Sequence, residues 1–168
     1  MSRKVRRVPA NWKHPERYPG RYEPMFEGNP TLDEDIEQWH KDNELWKAGK
    51  HPAQHDPKCP SAARCENFED WDGGPPDPDR YMPFWPLEQR THYQMYETTS
   101  EGTPISPVMA NPDELAHWLA DNKASAFGRE GASYEEWLQM IMGPGWAPSM
   151  ARIGGELMSG VAYMSKDK

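Results

Sequence analysis

Two histidines and two cysteines lie within fifteen residues of one another in the middle of the chain. They are His51, His55, Cys59 and Cys65. Imidazole nitrogen and thiolate sulfur both bind Zn²⁺, and four such ligands complete a tetrahedral site. A bound metal would also stabilise a proline-rich segment that has few other means of holding its shape. The sequence therefore predicts a candidate zinc site, and the alternatives for the two cysteines are free thiols or a disulfide between them.

Side chains that could act in nucleophilic catalysis are present, but no catalytic motif surrounds them. The candidates are His40, His92 and His117 as bases, with Cys59, Ser100 or Ser106 as nucleophiles. There is no G-x-S-x-G turn, and the glycine pairs lack the lysine and the strand–helix context of a phosphate-binding loop. A non-catalytic role is therefore favoured, and a hydrolase or nucleotide-binding protein with an unrecognised site is an alternative.

The net charge of −8 is distributed unevenly along the chain. Residues 1–24 carry seven basic and two acidic groups, residues 25–90 carry seven and fifteen, and residues 91–168 carry five and ten. The basic start, which includes Arg3, Arg6 and Arg7, could bind the phosphates of a nucleic acid or lie on the acidic remainder of the protein. That acidic remainder argues against nucleic acid as the main partner and favours a protein with a basic surface.

Eight tryptophans occur in a chain whose mean hydropathy is only −1.02. Trp71, Trp85 and Trp146 lie among prolines and glycines, where no long regular element can form. Because aromatic side chains dominate many protein interfaces, these three residues are predicted contacts with a partner, together with the three arginines of the basic start. The alternative for Trp146 is that its ring folds back onto a small core.

Four segments are expected along the chain. Prolines spaced through residues 1–30 predict a basic extended arm, since each proline removes an amide donor and restrains its neighbour. Apolar residues at helical spacing, an acidic first turn and Gly49 predict an amphipathic helix over 31–49. Eight more prolines predict an irregular segment over 50–90. Residues 91–165 are predicted to form a compact α+β domain.

The predicted domain contains three strands and two helices. The strands are expected over 91–98, 105–109 and 156–164. The helices are expected over 111–122 and 133–142, with Asn111 and Ser133 as their N-cap residues. The predicted fold class is therefore α+β, a small antiparallel sheet with two or three covering helices and a long, proline-rich, irregular N-terminal half.

No apolar run is long enough to cross a membrane, so no membrane contact is expected. The start MSRKVRRVPANW has basic residues but no apolar stretch after them, which is not typical of a secretory signal. A reducing cytoplasmic location follows as an expectation, and it favours free thiols or metal over a disulfide. The oligomeric state is not indicated.

Two stretches resemble small proteins encoded by bacteriophages and prophages. The first is RKVRRVP with a tryptophan nearby, and the second is YETTSEGTPISPV followed by PDELAHWLADN. The resemblance implies an accessory protein in the cytoplasm of a bacterial host, of a kind that often inhibits or adapts host machinery, including defence systems. It implies no catalytic residues.

The resulting hypothesis is a phage-type accessory protein that binds a host protein and inhibits a defence or nucleic-acid enzyme. The alternative is a small, zinc-stabilised module that binds nucleic acid through its basic arm. The two differ in whether the basic start and the metal are essential for binding.

Overall fold

The helices and strands of the chain are short and belong to two units. A computed structural model describes residues 2–28, 31–98 and 102–166. Unit 1 comprises Met1–Met25 and Trp85–Lys168, and unit 2 comprises Phe26–Phe84. The strands are β1 (Arg3–Val8), β2 (Glu16–Tyr18), β3 (Arg21–Tyr22), β4 (His92–Glu97), β5 (Thr103–Pro104), β6 (Trp146–Ala147), β7 (Met150–Ile153) and β8 (Glu156–Ser159). The α-helices are α1 (Thr31–Lys47), α2 (Pro52–His55), α3 (Phe68–Asp72), α4 (Pro112–Asp121), α5 (Tyr134–Met142) and α6 (Gly160–Lys166), and short 3-10 helices span Ala62–Arg64 and Pro78–Arg80.

The main sheet of unit 1 has four antiparallel strands in the order β5-β4-β1-β6. β1 pairs with β4 along its whole length, from Arg3 opposite Glu97 to Val8 opposite His92. The first strand of the chain is therefore an inner strand of the sheet. The prediction of an extended arm over 1–30 is wrong for residues 3–8, and the division of the chain built on it is wrong as well.

Unit 1 is built from both ends of the chain. The segments 1–25 and 85–168 pack together, whereas the predicted compact domain began only at residue 91. Unit 2 takes in both the predicted helix over 31–49 and most of the segment 50–90 that was expected to be irregular. The predicted α+β class is nevertheless confirmed, with a small antiparallel sheet and helices around it.

The core of unit 1 lies between β4 and the helices α4, α5 and α6. Its fully buried side chains include Met95 of β4, Leu115 and Leu119 of α4, and Trp137 and Met140 of α5. The two predicted helices are confirmed. Both begin where their capping residues predict, because the Asn111 side chain accepts from the Glu114 N–H and that of Ser133 accepts from the Glu136 N–H. None of the described helices is long and apolar enough to span a membrane, including α1 with its 17 residues.

The end of the chain differs from the predicted closing strand over 156–164. β7 and β8 form a hairpin through Gly154 and Gly155, both with positive φ. α6 then begins at Gly160, where a side chain would collide with the Pro148 carbonyl. α6 packs against α5, so Val161 is buried and Met164 is partly buried on a helix instead of a strand. The predicted return strand over 105–109 is partly formed: the continuous strand is β5 at Thr103–Pro104, and Ile105 and Met109 also bond to the backbone of β4.

Unit 2 has a small aromatic core of its own. Trp46, Ala62 and Phe68 are buried there, with Trp39 and Trp71 packed against them. The indole N–H of Trp46 donates to the Glu66 carbonyl oxygen at 3.3 Å. α1 matches the predicted helix, and short helical turns replace the irregular segment expected after it.

Replacement of Arg3 by methionine tests whether this buried cation stabilises unit 1. The Arg3 side chain is 1% exposed, donates from Nε to the Ser125 carbonyl oxygen at 2.7 Å, and lies on the strand position opposite the buried carboxylate of Glu97. Arg3→Met would leave that carboxylate without its opposing charge, so we expect the free energy of unfolding in urea to fall by about 3 kcal/mol. The exposed control Arg129→Met is expected to change it by less than about 0.5 kcal/mol. Equal effects of the two variants would contradict the role given to Arg3.

Candidate functional site

A pocket with a volume of about 270 Å³ opens in unit 1 between the loop after β1, the β2–β3 hairpin and β4. Two buried polar residues, His14 and Gln94, lie at its base, and Trp12 and Tyr22 line its sides. The exposed side chains of Lys13 and Glu16 and the segment 107–108 complete the lining. The pocket is thus aromatic at its sides and polar at its base, which is the composition of many binding sites.

The hydroxyl of Tyr96 joins the groups beneath the pocket. It donates to Gln94 Oε1 at 2.9 Å, accepts from the Trp12 indole N–H at 3.1 Å, and lies 3.1 Å from His14 Nδ1. The guanidinium of Arg6 lies over the Tyr96 ring, 4.3 Å from its centre. Burial raises the pKa of Tyr96 to about 12, so the phenol stays protonated near neutral pH and acts as a structural hydrogen-bonding group.

The protonation of His14 can be worked out from its two neighbours. Nε2 lies 2.7 Å from the carbonyl oxygen of Glu23, which can only accept, so Nε2 carries a hydrogen. Nδ1 of the neutral ring then faces the Tyr96 hydroxyl, whose only hydrogen points to Gln94. When His14 is neutral, the Tyr96 hydroxyl has one hydrogen for two acceptors, His14 Nδ1 and Gln94 Oε1, so one of them lacks a hydrogen bond. Burial, aided by the charge of Arg6, nevertheless outweighs this and lowers the pKa of His14 below its usual value.

Gln94 offers a hydrogen-bond donor at the base of the pocket. Its side chain is 4% exposed, its Oε1 accepts from Tyr96, and its Nε2 donates one hydrogen to the Ser106 carbonyl oxygen at 2.9 Å. The second Nε2 hydrogen has no acceptor among the described residues. Gln94 lines the pocket, and its carboxamide is held in a fixed orientation by these two hydrogen bonds.

The residues proposed as a zinc site are used separately. His51 Nδ1 accepts from the Ala53 N–H and caps α2, while His55 Nε2 lies 2.8 Å from the Gly49 carbonyl oxygen. Cys65 donates to the Ser61 carbonyl oxygen at 3.4 Å, and both cysteines are free thiols beside the aromatic core of unit 2. No group of three or more potential metal ligands exists among the described residues. The structure does not bring the four residues together as a metal site, because His51, His55 and Cys65 each bond to nearby backbone groups.

The three arginines predicted to bind a partner are engaged inside unit 1. Arg3 is buried against Ser125, and Arg6 lies over the Tyr96 ring. Arg7 lies 4.5 Å from the centre of the Tyr93 ring and donates from Nε to the Arg90 carbonyl oxygen at 3.0 Å. These three side chains therefore lie against aromatic rings and carbonyl groups of unit 1, which fits the alternative that the basic start contacts the protein itself better than an arm free to bind phosphates.

The three tryptophans predicted as partner contacts have different environments. Trp71 is half-buried against the core of unit 2 and stacks with Trp46 at 6.3 Å between ring centres. Trp85 is half-buried, with its ring centre 4.7 Å from that of Trp12. Trp146, on the outer strand β6, is 41% exposed and is the most accessible of the three.

The candidate catalytic residues are not brought together by the structure. Ser106 is buried, accepts from the Met95 N–H and donates to the Pro107 carbonyl oxygen, so its hydroxyl is committed to the backbone. His117 stacks on Tyr134 with ring centres 4.1 Å apart, and His92 Nδ1 lies 2.9 Å from the Thr91 hydroxyl. Ser100 lies outside the described residues.

The charge of the protein is divided between the two units. Unit 2 contains fourteen acidic and six basic residues, and unit 1 contains thirteen of each. The whole net charge of −8 therefore belongs to unit 2. Only Glu27 and Asp42 among its acidic residues are partly buried, and the others are exposed.

Comparison of the chain with protein-family models, with curated proteins and with solved structures gives no match in any of the three. The function of the protein must therefore be inferred from its own residues. Two features carry that inference, namely the aromatic pocket of unit 1 and the acidic surface of unit 2.

The lowered pKa of His14 predicts a pH dependence of stability. A group whose pKa is lower in the folded than in the unfolded state stabilises the fold above its unfolded pKa, about 6.5 for histidine, and loses that contribution as the pH falls. We expect the urea midpoint of the protein to decrease from pH 7.5 to pH 5.5, and to decrease less in His14→Gln. The exposed control His117→Gln should follow the unmodified protein. An unchanged pH dependence in His14→Gln would contradict this assignment.

Proposed function

We propose that this protein is an accessory protein of the bacteriophage type that binds a basic protein of its bacterial host in the cytoplasm, and that unit 2 provides the binding surface. The observation that carries the proposal is the confinement of the net charge of −8 to residues 26–84, while unit 1 has no net charge. Concentrated charge of one sign accelerates association with a surface of the opposite sign and selects against acidic partners.

The surface of unit 2 has few internal ion pairs to reduce its charge. Among the described residues of unit 2, Glu37 pairs with Lys41 and Glu44 pairs with Lys47, both on exposed turns of α1. Such exposed pairs contribute little energy and leave the excess of acidic groups accessible to a partner. The helical turns that carry these groups are held by the aromatic core, so the charges are presented on an ordered surface.

Exposed aromatic rings in unit 2 add a source of binding energy that charge alone does not supply. Phe26 is 53% exposed, with the Arg80 guanidinium 5.4 Å from its ring centre and the Tyr81 ring beside it. Phe84 is 66% exposed. Aromatic anchors surrounded by polar groups are a common composition of protein interfaces.

The chemistry of the surface favours a partner whose own basic surface normally contacts nucleic-acid phosphates. Such a surface carries closely spaced cations, and these cations can bind carboxylates in place of phosphates. Occupation of that surface would inhibit a nucleic-acid or defence enzyme by competition. This kind of inhibition requires no catalytic step of the protein.

The proposal can be tested with two variants that remove the same amount of charge. The first neutralises four exposed acidic residues of unit 2: Glu34→Gln, Glu66→Gln, Asp72→Asn and Asp79→Asn. The matched control neutralises four exposed acidic residues of unit 1: Glu88→Gln, Asp121→Asn, Glu135→Gln and Glu156→Gln. The immobilised full chain is used to isolate proteins from a nuclease-treated host lysate, and each retained protein is purified for measurements of Kd against salt and against added DNA.

We expect a retained basic protein whose affinity falls with salt and with competing DNA. Neutralisation in unit 2 should weaken this binding about tenfold or more, because four charges contribute about 0.5 kcal/mol each. The control should retain most of the affinity. Equal loss in the two variants, or a retained protein that DNA does not displace, would contradict the proposal.

A further inference from the structure

We propose that the pocket of unit 1 binds a nucleotide unit, with the base between Trp12 and Tyr22 and the phosphate on Lys13 and Arg21. This site is separate from the acidic surface of unit 2 and does not depend on the function proposed for that surface. Its ligand chemistry is a planar base with a carbonyl acceptor, joined to an anionic phosphate.

The size and the sides of the pocket fit one planar ring system. A volume of about 270 Å³ lies just below the range of about 300–1,000 Å³ typical of pockets for whole drug-sized ligands. Trp12 and Tyr22 are held in place by edge-to-face contacts, Trp12 with Trp85 at 4.7 Å and Tyr22 with His14 at 5.4 Å. Aromatic side chains in fixed positions are the usual platform on which proteins stack unpaired bases.

The base of the pocket selects for a hydrogen-bond acceptor. The free Nε2 hydrogen of Gln94 is the donor, and the carboxamide cannot turn to present its oxygen because Tyr96 and Ser106 hold both ends. The two ring nitrogens of His14 lie against protein groups, Nε2 against the Glu23 carbonyl oxygen and Nδ1 against the Tyr96 hydroxyl. A carbonyl such as O4 of thymine or uracil satisfies this donor, whereas a purely apolar ring would leave it unpaired at a cost in affinity.

Two cations line the pocket and the hollow that shares Tyr22 with it, one in each. Lys13 lines the pocket, and Arg21 lines a second, more open hollow of about 450 Å³ that shares Tyr22 with it. Neither side chain has an ion-pair partner among the described residues. Of the nearby carboxylates, Glu23 is paired with Arg17 at 2.8 Å, whereas Glu16 is held by the Gly20 N–H at 3.0 Å and keeps its charge.

The same nucleotide chemistry exists in two sources, a free nucleotide and a single-stranded nucleic acid. The exposed hairpin favours the second, because Tyr18 is 65% exposed and could stack a neighbouring base close to Arg21. An open hollow on one side of Tyr22 also leaves room for the strand to continue.

The experiment measures binding of the full chain to a fluorescently labelled oligothymidylate of eight nucleotides by anisotropy, and to thymidine monophosphate by calorimetry. Tyr22→Ala removes one side of the pocket, and Tyr22→Phe retains its ring. Lys13→Ala with Arg21→Ala removes the two cations. The matched controls are Leu157→Ala, which truncates an exposed apolar side chain elsewhere in unit 1, and Arg129→Ala with Arg152→Ala, which removes two exposed cations there.

We expect Tyr22→Ala to weaken binding of the oligonucleotide about tenfold or more, and Tyr22→Phe and Leu157→Ala to change it by less than about threefold. Loss of Lys13 and Arg21 should reduce the slope of log K against log salt by about 1.4, while the arginine control leaves the slope unchanged. Binding of the oligonucleotide alone identifies a single strand as the source, and comparable binding of the monophosphate identifies a free nucleotide. Absence of binding to both probes, or equal effects of pocket and control variants, would overturn the inference.

Discussion

Antiparallel pairing between β1 and β4 joins segments of the chain that lie about ninety residues apart, and the rest of unit 1 depends on it. This pairing places Arg6 over the Tyr96 ring and Arg7 over the Tyr93 ring. It also brings the loop after β1 over β4, so that Trp12 and His14 reach the Tyr96 hydroxyl. The core on the helix side and the pocket on the other side are therefore two consequences of one strand pair.

Signals that act within a few residues made much of the fold predictable. α1, α4 and α5 were predicted from helical spacing and capping residues, because a cap such as Asn111 or Ser133 satisfies backbone groups three residues away. β4 was predicted as the strand over 91–98, whose two-residue period puts Gln94 and Tyr96 on one face. The position of β1 was not predictable in this way, since its arginines find partners such as Ser125 only in the folded chain.

The candidate site was predictable only in part, for the same reason. Gln94 and Tyr96 have the spacing of two residues that marks one face of a strand. Trp12 and His14 have no local pattern that indicates their contact with β4. The predicted zinc ligands are close in sequence, but the structure does not bring them together, since their side chains bond to the backbone or lie against an aromatic core. Proximity along the chain is a weak guide to geometry where short helical turns change direction every few residues.

In the sequence, the residues of unit 2 lie between the two segments of unit 1, and this order affects the synthesis of the protein. A ribosome completes β1 long before β4, so the inner strand of the sheet has no partner while residues 9–91 are being synthesised. All residues of the aromatic core of unit 2 are present before β4 emerges. During this interval the arginines of β1 keep the nascent strand charged, and charge on an unpaired strand opposes its addition to other chains. Once β1 has paired with β4, Arg6 and Arg7 lie over the Tyr96 and Tyr93 rings instead.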